Sequence, residues 1–219
     1  MGIMERKAKE KQIRKNDIIK AAEKIFIEKG FELATMDDIA KEAEFTKRTL
    51  YAYFKSKEEL YYEIMLKGFK TLNSMCDEKL YETSGEAEGE KIKAIGKCFL
   101  DFRYKYPGYF KAILDYQNKD HDFHEDNKNT IIEQCYKEGE YALDIIKRCV
   151  AKGIEIGEFS SEINPEITVF TLWSYITGLI GLIDKKEKYI KYYYEKDLSK
   201  IVEGSFEIIV SSIRCARLP

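Results

Sequence analysis

The chain has 219 residues, 44% of them hydrophobic and 35% charged, with a formal net charge of −2. That length suits one large or two small domains, and the apolar content is enough for a core. The near-neutral balance argues against a strongly basic nucleic-acid binder, but it is uneven: residues 1–60 hold 14 Lys/Arg against 12 Asp/Glu, the remainder 23 against 27. Five cysteines (Cys76, Cys98, Cys135, Cys149, Cys215) form no CxxC pair, which points to reduced thiols in a cytoplasmic protein. The charged N-terminus has no signal-peptide pattern. The run Ile167 to Ile183, interrupted by Thr168, Thr171, Ser174 and Thr177, reads as too short and too polar to span a membrane.

With three prolines (Pro107, Pro165, Pro219) and no sustained strand alternation, the predicted elements are all helices. The arm before the first helix carries Arg6, Lys7, Lys9 and Lys11 against Glu5 and Glu10; it either attracts phosphates or is a solvated terminus. Ile18, Ala21, Ala22, Ile25 and Phe26 recur at helical spacing, and Gly30 is placed to stop that helix in a left-handed conformation. Thr35 with Asp38, and Ser56 with Glu59, have the form of capping boxes. Between them Thr46 caps a helix whose flanks Phe45 and Leu50 stand at hydrophobic-staple spacing. The helix from Ser56 runs through Leu60, Ile64, Met65, Phe69 and Leu72 towards Leu80, and a polar loop, Glu82 to Glu90, ends it. Ile92, Ile95, Cys98, Phe99 and Phe102 mark the next buried face. After Pro107-Gly108 comes a short helix around Tyr109 to Tyr116, then a polar loop, Asn118 to Asn129, and a helix from Thr130 to Cys149. Gly153 and Gly157 read as a helix terminus. Asn164-Pro165 fits an N-cap followed by proline at the first position of a helix, Glu166 to Ile183; the tyrosine-rich Tyr189 to Tyr194 follows it. Asp197 caps the last helix, in which Leu198, Ile201, Val202, Ser205, Ile208 and Ile209 share a face.

The function-bearing pattern lies in the second and third helices. Each has about two turns, and only Ala43-Glu44-Phe45-Thr46 joins them, as in a helix-turn-helix. Ile39, Ala40, Ala43, Phe45, Leu50 and Phe54 supply a shared core, and the small alanines let the two axes approach. With Leu50 and Phe54 inward, Lys47, Arg48 and Tyr51 point outward, offering donors for guanine edges and phosphates. On composition alone such cations are a solvated helix face; Thr46 and Ser56 are caps first, worth about 1 kcal/mol each.

Gly30-Phe31, Thr35-x-x-x-Ile39-Ala40, Ala43, Thr46-x-x-Thr49-Leu50-Tyr51-x-Tyr53-Phe54 and Ser56-Lys57-Glu58-Glu59-Leu60 together resemble the N-terminal signature of the TetR family of bacterial regulators. The signature covers about a quarter of the chain, and Tyr106-Pro107-Gly108-Tyr109-Phe110 is similar to a stretch in the family's ligand domains. The resemblance implies an all-α protein of about nine helices: a three-helix DNA-binding domain at 1–55, then a ligand-binding and dimerisation domain at 56–219. It implies that Thr35 binds a phosphate, that Thr46, Lys47, Arg48 and Thr49 lead the recognition helix into the major groove, and that Tyr51, Tyr53 and Lys57 hold the DNA backbone. Two departures stand out. Glu44 and Arg48 occupy positions where the family commonly has glycine; the first strains the turn if a left-handed residue is needed, and the second shifts base preference.

Aromatic residues are dense around Phe99 to Phe123 and Phe170 to Tyr175. Most are core, and an apolar inducer pocket is expected from Phe99, Phe102, Phe110, Tyr116 and Trp173. His121 and His124, beside Asp122 and Glu125, have a spacing that suits zinc or nickel, but acidic neighbours in a polar loop read first as solvated. No cofactor, metal or catalytic constellation is expected. The apolar faces of the last two helices (Trp173, Ile176, Ile180; Phe206, Ile209, Ile213) suit a twin, and the resemblance implies a homodimer through them. Two recognition helices then face a palindromic site about one DNA turn apart. The resulting expectation is a cytoplasmic repressor released from double-stranded DNA by a small apolar inducer. A DNA-bound adaptor for a protein partner and an activator of the same fold are the alternatives.

Overall fold

The computed structural model describes residues 2–117, 130–195 and 197–215, and within them the chain is helical. The elements are α1 (Ile3–Leu33), α2 (Met36–Glu42), α3 (Lys47–Tyr53), α4 (Lys57–Glu82), α5 (Glu88–Lys105), α6 (Pro107–Gln117), α7 (Ile131–Glu155), α8 (Pro165–Tyr194) and α9 (Leu198–Ser211). One isolated antiparallel bridge, Phe159 to Arg214, is the only extended pairing among the described residues.

The caps fall where the side chains predict. Thr35 and Asp38 form a complete capping box: the Thr35 hydroxyl accepts from the Asp38 N–H at 3.1 Å while the Asp38 carboxylate accepts from the Thr35 N–H at 3.1 Å. Thr46 accepts from the Thr49 N–H, Asn164 from the Ile167 N–H and Asp197 from the Ser199 N–H. At Ser56 only half of the expected box forms. Its hydroxyl accepts from the Glu59 N–H at 3.2 Å, but the Glu59 carboxylate accepts from the Lys55 N–H instead.

The chain divides into two compact units. The first contains residues up to 71 together with 106–138, so the whole helix-turn-helix lies in it. Its centre is built from Ile18, Ala22, Ile39, Leu50, Phe54, Leu60 and Met65, all essentially inaccessible to water. Each large apolar side chain so buried contributes about 1.5–3 kcal/mol relative to exposure. α6 reaches this core through Phe110, Ala112 and Ile113, and packs where α4 has no side chain: a Cβ on Gly68 would stand 2.9 Å from that of Tyr109.

The second unit contains residues 72–105 and 139–219. Phe102, Ile145, Val150, Phe159 and Ile180 are at its heart. α7 ends at Glu155, and Gly157 follows with φ +75°, as its glycines predict. Gly153 has a second role, since a Cβ there would lie 2.2 Å from the Phe159 ring that folds back over it. The Glu158 carboxylate then accepts from the N–H groups of Glu88 and Gly89, capping α5. All five cysteines are thiols, and the buried Cys76 and Cys98 sulfurs stand 4.0 Å apart.

Three helices outrun their predicted limits, α7 by six residues past Cys149 to Glu155. α1 begins at Ile3, so the basic arm is helical, and α8 continues eleven residues past Ile183 to Tyr194. The α8 result corrects the sequence-based view of its apolar run. This 30-residue helix contains an 18-residue window of mean hydropathy 1.5, which is long and apolar enough to cross a membrane. Its hydroxyls do not oppose that apolarity, because Thr171, Ser174 and Thr177 donate to the carbonyls of Ile167, Phe170 and Trp173. One face, through Leu172, Ile176, Leu179, Ile180 and Ile183, is buried in the second unit, as in a core helix.

Candidate nucleic-acid interface

The turn between α2 and α3 closes on the backbone. The Ala43 N–H donates to Ile39, Glu44 to Lys41 and Phe45 to Ala40, the last two forming the paired bonds of a Schellman motif. That motif needs a left-handed residue, and Glu44 supplies it with φ +57°. The strain anticipated at Glu44 is therefore present, at about 1–2 kcal/mol for a residue with a Cβ.

α3 hangs from this turn by Leu50, which is fully buried, with Phe54 closing its C-terminal end. The opposite side is open: Thr46, Lys47, Arg48 and Tyr51 are exposed, while Thr49 and Tyr53 are half-buried. The Thr46 and Thr49 hydroxyls bond each other at 2.8 Å, which fixes the leading turn. Thr35 is exposed at the N-terminus of α2, where its backbone N–H and hydroxyl both donate to Asp38.

The cations differ in how far they are committed. The Lys47 ammonium donates to Asp37 at 2.9 Å, and this hydrogen bond and charge raise its pKa. Arg48, next to it, makes no ion pair among the described residues. The Lys57 ammonium turns inward, donating to the carbonyls of Phe31 at 2.7 Å and Glu32 at 3.3 Å and lying 4.4 Å from the Phe31 ring centre. It thus ties the end of α1 to the start of α4, a role not visible in the sequence. Gly30 makes the arrangement possible. Its φ is positive as predicted, but its ψ of 161° is extended rather than left-handed helical. That break turns Phe31 into a cluster with Phe26 and Tyr61, at centroid distances of 5.6 and 4.6 Å.

The head is framed by further polar ties that sequence reasoning missed. Lys29 donates to Asp38 at 2.6 Å and Lys24 to Glu42 at 2.6 Å, joining α1 to α2. Hydrogen bonds from Lys29 and Thr35 hold the Asp38 carboxyl at about 2, well below the usual carboxylate range. Glu23 on α1 accepts from Lys67 on α4 and from the Tyr109 hydroxyl on α6, both at 2.8 Å. Tyr61 donates to Asp115 at 3.2 Å, and burial, reinforced by the Asp115 charge, pushes its hydroxyl above the ordinary phenol value. Such contacts need partners 40 or more residues apart, for which helical spacing carries no signal.

The five residues expected to line a pocket are divided between the units. Phe110, buried, and Tyr116 belong to the first; Phe99, half-buried, Phe102, fully buried, and Trp173, half-buried, belong to the second. The Tyr116 side chain, like His121 and His124, lies outside the described residues. A cleft of about 400 Å³ does open between α5 and α9, but it is lined mainly by charged groups, among them Lys93, Lys97, Lys200, Glu203 and Glu207. Among the described residues no group of three or more metal-ligating side chains occurs.

Comparison with known proteins agrees with this geometry. Residues 18–64 match the family described as bacterial regulatory proteins, tetR family. Over 167 residues, 76% of this chain and 82% of the relative, the sequence is 30% identical to the uncharacterized HTH-type transcriptional regulator YhgD of Bacillus subtilis. It is 35% identical over 91 residues to YfiR of the same organism, also an uncharacterized HTH-type transcriptional regulator, but there spans only 41% of the relative's length. Among solved structures, the transcriptional regulator FadR from Bacillus subtilis, in complex with stearoyl-CoA, superposes with a TM-score of 0.69 at 19% identity, covering 90% of this chain and 98% of that one.

Proposed function

The chain belongs to the TetR family of bacterial transcriptional regulators, and we infer that it is a homodimeric repressor that leaves its operator when a small apolar ligand binds. The observation that carries this reading is the exposed Lys47-Arg48-Tyr51 face of a short helix held rigidly on a buried Leu50. In this proposal residues 1–55 read DNA. Arg48, exposed and without an ion pair among the described residues, takes a base edge or phosphate, Lys47 joins it by exchanging Asp37 for DNA, and Thr46 and Thr49 sit at the leading turn. Thr35, Tyr51 and Tyr53 take phosphates. Lys57 keeps two of its three donors on α1 carbonyls, which leaves one for the backbone.

Residues 56–219 serve the ligand and the twin. The likeness to a regulator holding stearoyl-CoA favours a long apolar ligand, with Phe99, Phe102 and Trp173 of the second unit as candidate contacts. The ligand acts by preferring one arrangement of the two heads, at a coupling of about 1–3 kcal/mol. The faces expected from the sequence are largely spent within the chain, since Ile176, Ile180 and Phe206 are buried in it; dimerisation through α8 and α9 is supported instead by the apolar side chains they leave in water, among them Ile167, Phe170, Leu182 and Ile208. The protein then works in the cytoplasm, on double-stranded DNA, without a cofactor.

Footprinting on the DNA upstream of its own gene tests the proposal. Protection of an inverted repeat is expected, and Lys47→Ala or Arg48→Ala should each cost about 1–3 kcal/mol of specific binding with the helical signal intact. Absence of any protected repeat would count against the reading.

A further inference from the structure

α1 is 31 residues long, yet the family match begins at residue 18 and Ile18 is the first buried side chain of the helix. The preceding stretch, about four turns and about 20 Å at 1.5 Å per residue, lies outside the core. Its charges are in phase. At 100° per residue, Lys7, Lys11 and Arg14 fall within a sector of about 60°, and the side chains that α1 buries at Ile18, Ala22 and Ile25 lie in or within about 20° of it. The cationic ridge is therefore the prolongation of the face that α1 buries.

Two other cations of the arm are committed elsewhere, and Lys9 lies on the opposite side of the helix. Arg6 pairs with Glu10 at 3.2 Å, and Lys15 bonds Glu63 while standing 5.7 Å from the Phe54 ring. Lys7, Lys11 and Arg14 make no hydrogen bond or ion pair among the described residues. Like charges at i, i+4 and i+7 weaken a helix slightly, with no compensating acidic partner among the described residues. The Lys15–Phe54 contact sets the start of the arm beside the residue that ends α3, so the ridge continues from the reading head itself. Its apolar residues, Ile3, Met4, Ala8 and Ile13, are too few among its charges for membrane insertion. Duplex DNA, with one charge per about 1.7 Å of axis, matches a ridge that runs about 10 Å from Lys7 to Arg14.

Resting on the DNA-binding reading above, we propose that Lys7, Lys11 and Arg14 form a phosphate-binding ridge that grips the DNA flanking the bases read by α3, adding affinity without adding sequence preference.

The test measures binding of the full chain to sheared genomic duplex, by fluorescence anisotropy, between about 50 and 200 mM salt. Each lost phosphate contact reduces the slope of log K against log salt by about 0.9, so the triple variant Lys7→Ala/Lys11→Ala/Arg14→Ala should flatten it by about 3 per bound chain. Alanine is the strongest helix former, so the arm stays helical, which circular dichroism checks. Lys9→Ala, on the opposite face, is the control and should leave the slope almost unchanged. A slope unaltered by the triple variant, or altered as much per charge by Lys9→Ala, overturns the ridge while leaving the DNA-binding reading intact. A wild-type chain with no salt-sensitive binding removes that reading and the ridge with it.

Discussion

Glu44 sits in a left-handed conformation that glycine would adopt without a steric penalty. Glu44→Gly should therefore relieve about 1–2 kcal/mol of strain, partly offset by about 0.5–1 kcal/mol of added chain entropy. A net stabilisation of about 0.5–1 kcal/mol is expected, read as a higher urea midpoint at unchanged m-value. Asp38 gives a second prediction at this scale. Its folded pKa of about 2 lies below the ordinary 3.8, so its contribution is fully present above about pH 4 and is lost as pH falls towards 2. Asp38→Asn should flatten that part of an acid unfolding curve followed by far-UV circular dichroism; an unchanged acid limb would mean that the carboxylate does not stabilise the capping box. Both residues were within reach of the sequence, Asp38 through its spacing from Thr35 and Glu44 through its departure from the glycine common at that position in the family it resembles. Lys57 was not, because its partners are backbone carbonyls on a preceding helix, and carbonyls have no sequence signature.

The helices most faithfully legible were the short ones, since α2 and α3 are each framed by a hydroxyl cap and a compact apolar core. Length was less legible. The described first turns of α1 bury no side chain and the last turns of α8 bury only Ile190, so good helix formers such as Lys and Glu extend them, helped by pairs such as Lys191 with Glu187. The close approach of α5 to α9 was hidden as well, although it rests on one missing side chain. A Cβ on Gly96 would stand 2.3 Å from the Phe206 ring. Gly96→Ala should thus destabilise by about 1–3 kcal/mol despite the better helix propensity of alanine. Adding Phe206→Leu should restore part of that loss, a non-additivity that thermal unfolding of the three variants would reveal.

For the whole molecule the decisive surface is that of α8 and α9, where Phe170 and Ile208 are 57% and 74% exposed. If these faces meet a twin, Phe170→Glu with Ile208→Glu should give a folded monomer by sedimentation and weaken operator binding to that of a single head. A variant that remains dimeric would move the interface elsewhere. The residues behind the proposed pocket were less legible than the reading head, because aromatic side chains serve core and pocket alike and their grouping depends on how helices assemble. The length and apolarity of α8 have one more consequence. Of its 18-residue apolar window 39% is buried by its own chain; if the proposed twin covers the rest, folding and association share a single equilibrium. Its melting temperature then has no fixed value: it should climb with protein concentration by mass action, and dilution alone should bring the fold closer to its limit.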